Sequence, residues 1–179
     1  MPLLRRLLLV LALLPAAGGS AAAKFADPLG EAGIFGAWAV LAREGEDGGF
    51  GFCAAELSYG NGLVLAVLLM ADARIELYLF HPDFDLTAGQ RFEITVRLDA
   101  EVSRTLSVRL DARAIEGVLE PDPPFLAALA GARQIAFDIP GEDIELPVAG
   151  TGLAEAVPAL VACLGKHAAI APDGRPLPP

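Results

Sequence analysis

After residue 34 the chain alternates hydrophobic and polar positions, and a period of two predicts strands. The clearest run is Phe92 to Asp99, where Phe92, Ile94, Val96 and Leu98 alternate with Glu93, Thr95, Arg97 and Asp99. Leu106, Val108, Leu110 and Ala112 alternate with Ser107, Arg109, Asp111 and Arg113. A one-residue slip in either strand would bury three charges, so the register is well specified. Ile75, Leu77 and Leu79 face one way, and Arg74, Glu76 and Tyr78 the other. Phe35 to Ala42 is a first strand with Trp38 and Val40 on one face; Phe50 to Tyr59, Ile135 to Ile139 and Ile144 to Val148 are further strands. Leu63 to Met70 is apolar throughout and should be covered on both faces.

Turn residues punctuate these runs. Glu44 to Gly49 is an acidic, glycine-rich turn, Gly60-Asn61-Gly62 is a tight hairpin, and Pro140-Gly141 joins the last two strands. Lys24 to Gly33 reads as a polar lead-in, and His81 to Gly89 as a connection broken by Pro82 and Gly89. Glu120 to Pro124 holds three prolines and ends the Leu106 strand, and Phe125 to Ala132 is a short helix closed by Gly131. Thr151 is placed to cap a last helix reaching Leu164, with Gly165 as its stop. Ala156, Leu160 and Cys163 fall on one stripe of that helix. Pro158 would cost about 3 kcal/mol in its interior, so a kink or a later start is expected. Eight strand segments at hairpin spacing followed by a helix predict an antiparallel β-sandwich or a small closed β-barrel with a C-terminal helix, not a βαβ protein.

The first 23 residues follow another pattern. Arg5 and Arg6 lie in a basic n-region, Leu7 to Leu14 is unbroken and apolar, and Pro15 precedes a run of small residues ending in Ala21-Ala22-Ala23. That order predicts an export signal cleaved after Ala23. Its apolar stretch is too short to cross about 30 Å of hydrocarbon as a helix, and the mature chain holds no stable membrane span. No cysteine follows the apolar run, which speaks against a lipoprotein. The organisation expected is signal peptide 1–23, a β domain over 30–168 and a disordered tail over 169–179. The compartment expected is a bacterial periplasm or the outside of the cell, in line with heavy use of Ala, Arg, Gly and Pro. The formal net charge is −10, and about −12 once Arg5 and Arg6 leave with the signal. So acidic a chain is a poor ligand for nucleic acid or anionic lipid.

Candidate chemistry is sparse. Cys53 lies on the second strand and Cys163 on the inner stripe of the last helix. In an exported chain an even cysteine count reads as one disulfide, pinning helix to sheet; the alternative is two buried free thiols. Two cysteines and two distant histidines lack the ligand spacing of a metal site. His81, Asp83 and Asp85 share one side if their segment is extended, yet the glycine and distal glutamate of a calcium loop are missing. They read as a solvated turn anchored by Phe84. Ser58, Ser103 and Ser107 occupy no Gly-x-Ser-x-Gly elbow, and His167 lies near the frayed end. Gly117 and Gly131 belong to no phosphate loop, and no cofactor is expected. Arg97, Arg109 and Arg113 sit beside acids and read as cross-strand pairs, not as an anion site. These residues predict a chain that is not an enzyme.

Trp38-Ala39-Val40 opening the domain, a glycine-rich turn, Cys53 on the next strand, Gly150-Thr151-Gly152-Leu153, and Leu160 to Cys163 together resemble the invasion-associated locus B-like group of small bacterial periplasmic proteins. The likeness runs over roughly residues 35 to 165 in order of elements. Such proteins commonly carry a cysteine two residues after the valine of the Trp-x-Val signature, paired with the next cysteine. Here that place is Ala42, so the resemblance implies that Cys53 has changed partner to Cys163. It also implies a secreted, non-catalytic β domain linked to the cell envelope or to host contact. The function expected is an envelope-associated interaction or structural module with an unidentified protein partner. The competing expectation is a small apolar-ligand carrier, or a protease inhibitor, on an eight-stranded barrel. In a carrier, Leu63 to Met70 would line a cavity above about 300 Å³; a filled core favours the module.

Overall fold

The computed structural model describes residues 28–45, 48–99, 101–140 and 142–167. The expected export signal 1–23, the tail 169–179 and Gly141 lie outside the described residues. The strands are β1 (Pro28–Phe35), β2 (Trp38–Glu44), β3 (Phe50–Ser58), β4 (Val64–Met70), β5 (Ile75–Phe80), β6 (Arg91–Leu98), β7 (Val102–Asp111), β8 (Ala114–Leu119), β9 (Gln134–Ile139) and β10 (Glu142–Pro147). Among the described residues there are two helices, α1 (Pro123–Gly131) and α2 (Leu153–His167).

All strand pairs are antiparallel, and the ten strands form one sheet in the order β1-β2-β3-β4-β5-β8-β7-β6-β9-β10. The expected closed barrel is not formed, because β1 and β10 end the sheet without pairing to each other. The arrangement is instead sandwich-like. Inward residues from both halves, such as Trp38, Val67 and Leu77 on one side and Val96, Leu106 and Phe137 on the other, share one core. The Tyr59 hydroxyl beyond β3 donates to the Pro147 carbonyl at the end of β10 at 3.2 Å and ties the halves together. Burial pushes that phenol well above its ordinary range.

The alternating strands behave as their pattern requires. Ile94, Val96 and Leu98 face the core, paired across to β7 and β9. On β4, Leu65, Val67 and Leu69 enter the main core, while Ala66 and Leu68 join Ala54 in a second cluster flanked by Phe52, Met70 and Tyr78. Both faces of β4 are therefore covered.

Two strands are absent from the expectation of eight. β1 occupies part of the expected lead-in; its register breaks twice against β2, which hides its alternation. β8 follows a turn without glycine, proline or asparagine: the Asp111 carboxylate accepts the Ala112 N–H at 2.7 Å instead. Gly117 then interrupts the apolar run, since a Cβ there would press on the Leu106 side chain.

The last helix also departs from expectation. Thr151 does not cap it. Its hydroxyl accepts the Trp38 Nε1–H at 2.8 Å and donates to the Val148 carbonyl at 2.6 Å. The Gly152 carbonyl accepts the first helical bonds, from Glu155 and Ala156. α2 runs through Pro158 and past Gly165, which is not in the left-handed conformation that stops a helix. Pro158 and Ala154, whose carbonyl loses its helical partner, are both exposed, so the proline falls on the outer side of the helix. Gly36 and Gly152 let the β1–β2 turn and the lead into α2 cross at backbone contact, where a Cβ on either would meet the other segment's carbonyl.

Candidate functional site

The two helices lie side by side, and α2 also rests on β1 to β4. α1 begins where Asp122 accepts the Phe125 N–H at 2.8 Å, with prolines in the first turn that carry no N–H in need of an acceptor. Phe125 and Leu129 go to the core, which turns Leu126, Ala127 and Ala130 toward α2. On α2, Ala156, Leu160 and Cys163 face the sheet, while Val157, Val161 and Leu164 face α1. Between them runs an apolar groove of about 530 Å³, open along one side and floored in part by Leu69. Val161 on its wall is 46% exposed, one of the few large apolar side chains so placed among the described residues.

The groove wall is fixed at its far end. Cys53 and Cys163 form a disulfide with Cα atoms 6.1 Å apart. His167 stacks on Phe50 with ring centroids 5.4 Å apart. Both links join α2 to β3, next to Val161 and Leu164. At the near end the Arg104 guanidinium holds the Asp122 carboxylate; that contact, with the Phe125 N–H, keeps the Asp122 carboxyl below its usual range.

The other candidates behave differently. His81 is buried, and its ring is committed to the backbone: Nε2 meets the Asn61 carbonyl at 3.0 Å, and Nδ1 accepts the Asp83 N–H at 3.1 Å. Asp83 and Asp85 are exposed, and among the described residues no group of three potential ligands gathers to hold a metal. Arg97 and Arg109 make the cross-strand pairs, with Asp138 at 2.7 Å and Glu116 at 2.6 Å. Arg113 is exposed and gives a backbone carbonyl to the His81 N–H. Ser107 lies on the outer face of the sheet beside Arg109, in a second, polar cleft of about 300 Å³. The groove is not legible in the sequence because it needs two helices whose first residues are 30 apart, with β9 and β10 between them, to be neighbours. Its only trace is the pair of apolar residues Val161 and Leu164 off the inner stripe.

Fold and groove together define a mainly β, antiparallel domain with a disulfide-anchored C-terminal helix. No protein-family model matches the chain, and no curated protein matches it. Among solved structures, the chain is similar to the crystal structure of invasion associated protein B from Bartonella henselae. The two share 19% identity and a TM-score of 0.49, over 75% of this chain and 97% of that one.

Proposed function

We propose that the chain is exported and works in the cell envelope as a non-catalytic interaction module that docks an apolar segment of a partner protein between α1 and α2. The observation that carries this reading is the groove itself: apolar, open, and held by a covalent link beside its exposed Val161. Apolar concavities with fixed walls are where partner side chains anchor. A formal charge of −10 favours a partner segment with basic residues beside its apolar contact. Against the carrier alternative stands the burial of Leu65 and Val67 of β4 in a filled shared core; Leu69 floors the groove, so a small apolar ligand would have to sit there rather than in a barrel lumen.

A photo-crosslinking residue at Val161, introduced in the source cells, tests the reading. One defined envelope partner, lost when Leu126→Asp is added and kept when an outer-face residue such as Thr105 is changed, is the expected result. Release of a small apolar molecule on denaturation, with no protein adduct at Val161, would point to the carrier instead. A protein found in the cytosol with its first 23 residues intact would remove the export step.

A further inference from the structure

The two surfaces of the domain differ in charge. On the sheet side, β6 and β7 expose Arg91, Glu93, Arg109 and Asp111. On the helix side, α2 exposes Ala154, Pro158, Val161, Ala162 and Gly165, all uncharged. α1 exposes Pro123, Pro124 and Ala127 and carries no charged residue along its length. This uncharged face flanks the open groove of about 530 Å³, and Val161, 46% exposed, stands on the groove wall. Loss of charge around an apolar concavity is the composition of the centre of an interface.

The charges of α2 say what covers that face. Glu155 near its start and Lys166 near its end are both exposed. Among the described residues neither has an ion-pair partner; Arg133 lines the cleft beside Glu155 without pairing to it. Eleven positions separate Glu155 from Lys166, about three helical turns, so both stand on one rim of the face, the rim away from α1. A second α2 laid antiparallel about a two-fold axis keeps each rim on its own side. It sets Lys166 of one copy against Glu155 of the other, twice; a parallel copy would set like against like. Each charge also suits the helix dipole where it stands, but the dipole asks for neither the shared rim nor the uncharged run between. We propose that this face is a self-association surface whose occupant is a second copy of the chain. The proposal rests on the reading of the groove as a docking face and names what docks there.

The symmetry fixes the remaining contacts. Val161 lies near the midpoint between Glu155 and Lys166, so the two Val161 side chains meet at the axis. The opposite rim carries Val157 and Leu164 and leads to α1, so the uncharged α1 surface meets its own copy and both grooves are covered. The Ala154 carbonyl, left without a helical partner by Pro158, lies beside Glu155, where the incoming Lys166 has three N–H donors to offer. A charge of −10 on each copy opposes association, but at physiological salt charges more than about 8–10 Å apart are largely screened. One helix pair falls short of the roughly 1,000 Å² that a stable interface buries, and α1 adds a modest share, so the dimer is a weak, exchanging one.

The test is sedimentation equilibrium of the purified chain, disulfide intact, over a series of concentrations in physiological salt. The expected result is a monomer–dimer equilibrium. Val161→Asp should weaken it about tenfold or more, since it sets two carboxylates together at the axis. Glu155→Lys and Lys166→Glu should each weaken it about tenfold, and the double reversal should return it to within about threefold of the parent. All these positions are exposed, so urea midpoints read from Trp38 should show every variant folded. A monomer at every concentration, a dimer unchanged by Val161→Asp, or a double reversal no tighter than the single ones would each overturn the proposal. A monomer that still gives one protein adduct from position 161 in cells would overturn it and leave the docking reading standing. A dimer whose adduct from position 161 is the chain itself supports both.

Discussion

The Trp38 indole N–H donates to the Thr151 hydroxyl at 2.8 Å, closing a span of 113 residues between the second strand and the lead into the last helix. Trp38 is fully buried, so its N–H has no water to turn to. Beside it the Ala37 N–H donates to the Thr151 carbonyl at 2.7 Å. Thr151→Val keeps the shape and leaves the indole donor unpaired, at an expected cost of about 1–3 kcal/mol. Thr151→Ser should restore most of it. Trp38 is the single tryptophan, so its fluorescence in a urea titration follows both variants directly. A Val variant as stable as the parent would show that this hydrogen bond adds nothing.

The disulfide closes a separation of 110 residues. Replacing both cysteines by alanine should lower stability by roughly 2–5 kcal/mol through the freer unfolded chain. α2 is marginal without its tertiary partners, so helical signal should be lost ahead of sheet signal on heating. Circular dichroism of oxidised and reduced protein checks both points; identical melting curves would contradict them.

Asp122 caps α1, and Asp122→Ala should cost about 1 kcal/mol at neutral pH. Its folded carboxyl lies below the usual range, first through Arg104 and then through the Phe125 N–H. Folding thus favours the ionised form. The stability it adds is complete above the unfolded carboxylate value and is lost as pH falls through the lower folded one. The gap between parent and variant should narrow in acid and stay flat above neutrality, as denaturation midpoints at a series of pH values will show.

Glu76 has the opposite sign. Burial, and not a partner, raises its folded value, so the fold favours the neutral form. That advantage is complete below the unfolded value and disappears as pH rises through the folded one. Glu76→Gln should therefore be at least as stable as the parent at neutral pH, with the difference vanishing in acid. A clear loss of stability in the variant would mean that Glu76 has a structural partner.

His81→Ala should destabilise the hairpin at Asn61 and the following connection, because it orphans the Asn61 carbonyl and the Asp83 N–H, at about 1–3 kcal/mol. Asp83→Ala and Asp85→Ala, both at exposed positions, should stay within about ±0.5 kcal/mol. A divalent cation that raises the melting temperature of the parent but not of the Asp83, Asp85 double variant would reverse this assignment.

Much of the β architecture was legible because it depends on neighbours in sequence. The period of two in β6 and β7 sets their register whatever lies beside them, and the unbroken apolar run of β4 reports two covered faces. Pro28 and two register breaks hid β1, and a carboxylate-made turn hid β8. The groove and the polar cleft both depend on what sequence spacing does not carry. The groove needs α1 against α2. The polar cleft needs β5 beside β8 and not beside β6, the out-of-order step that puts Glu76 and Arg91 on one outer face with two strands between them. Alternation placed Glu76 and Arg109 correctly on the outer face, but it could not say which charges would pair and which would be left over.

The crossing of the first hairpin by the lead into α2 has a consequence in time. Most neighbouring strands in the sheet are consecutive in the chain, so hairpins can zip as synthesis proceeds. The three clamps, Trp38 to Thr151, Cys53 to Cys163 and Phe50 to His167, all wait for the last element. Until then the inner wall of β2 to β4 lacks its lid, and Cys53 is a thiol without a mate. With two cysteines in the chain, no wrong bridge within one molecule exists. The covalent error open to an unfinished chain is a bond to another chain, so crowding during synthesis, rather than the order of pairing, governs how much of it is lost.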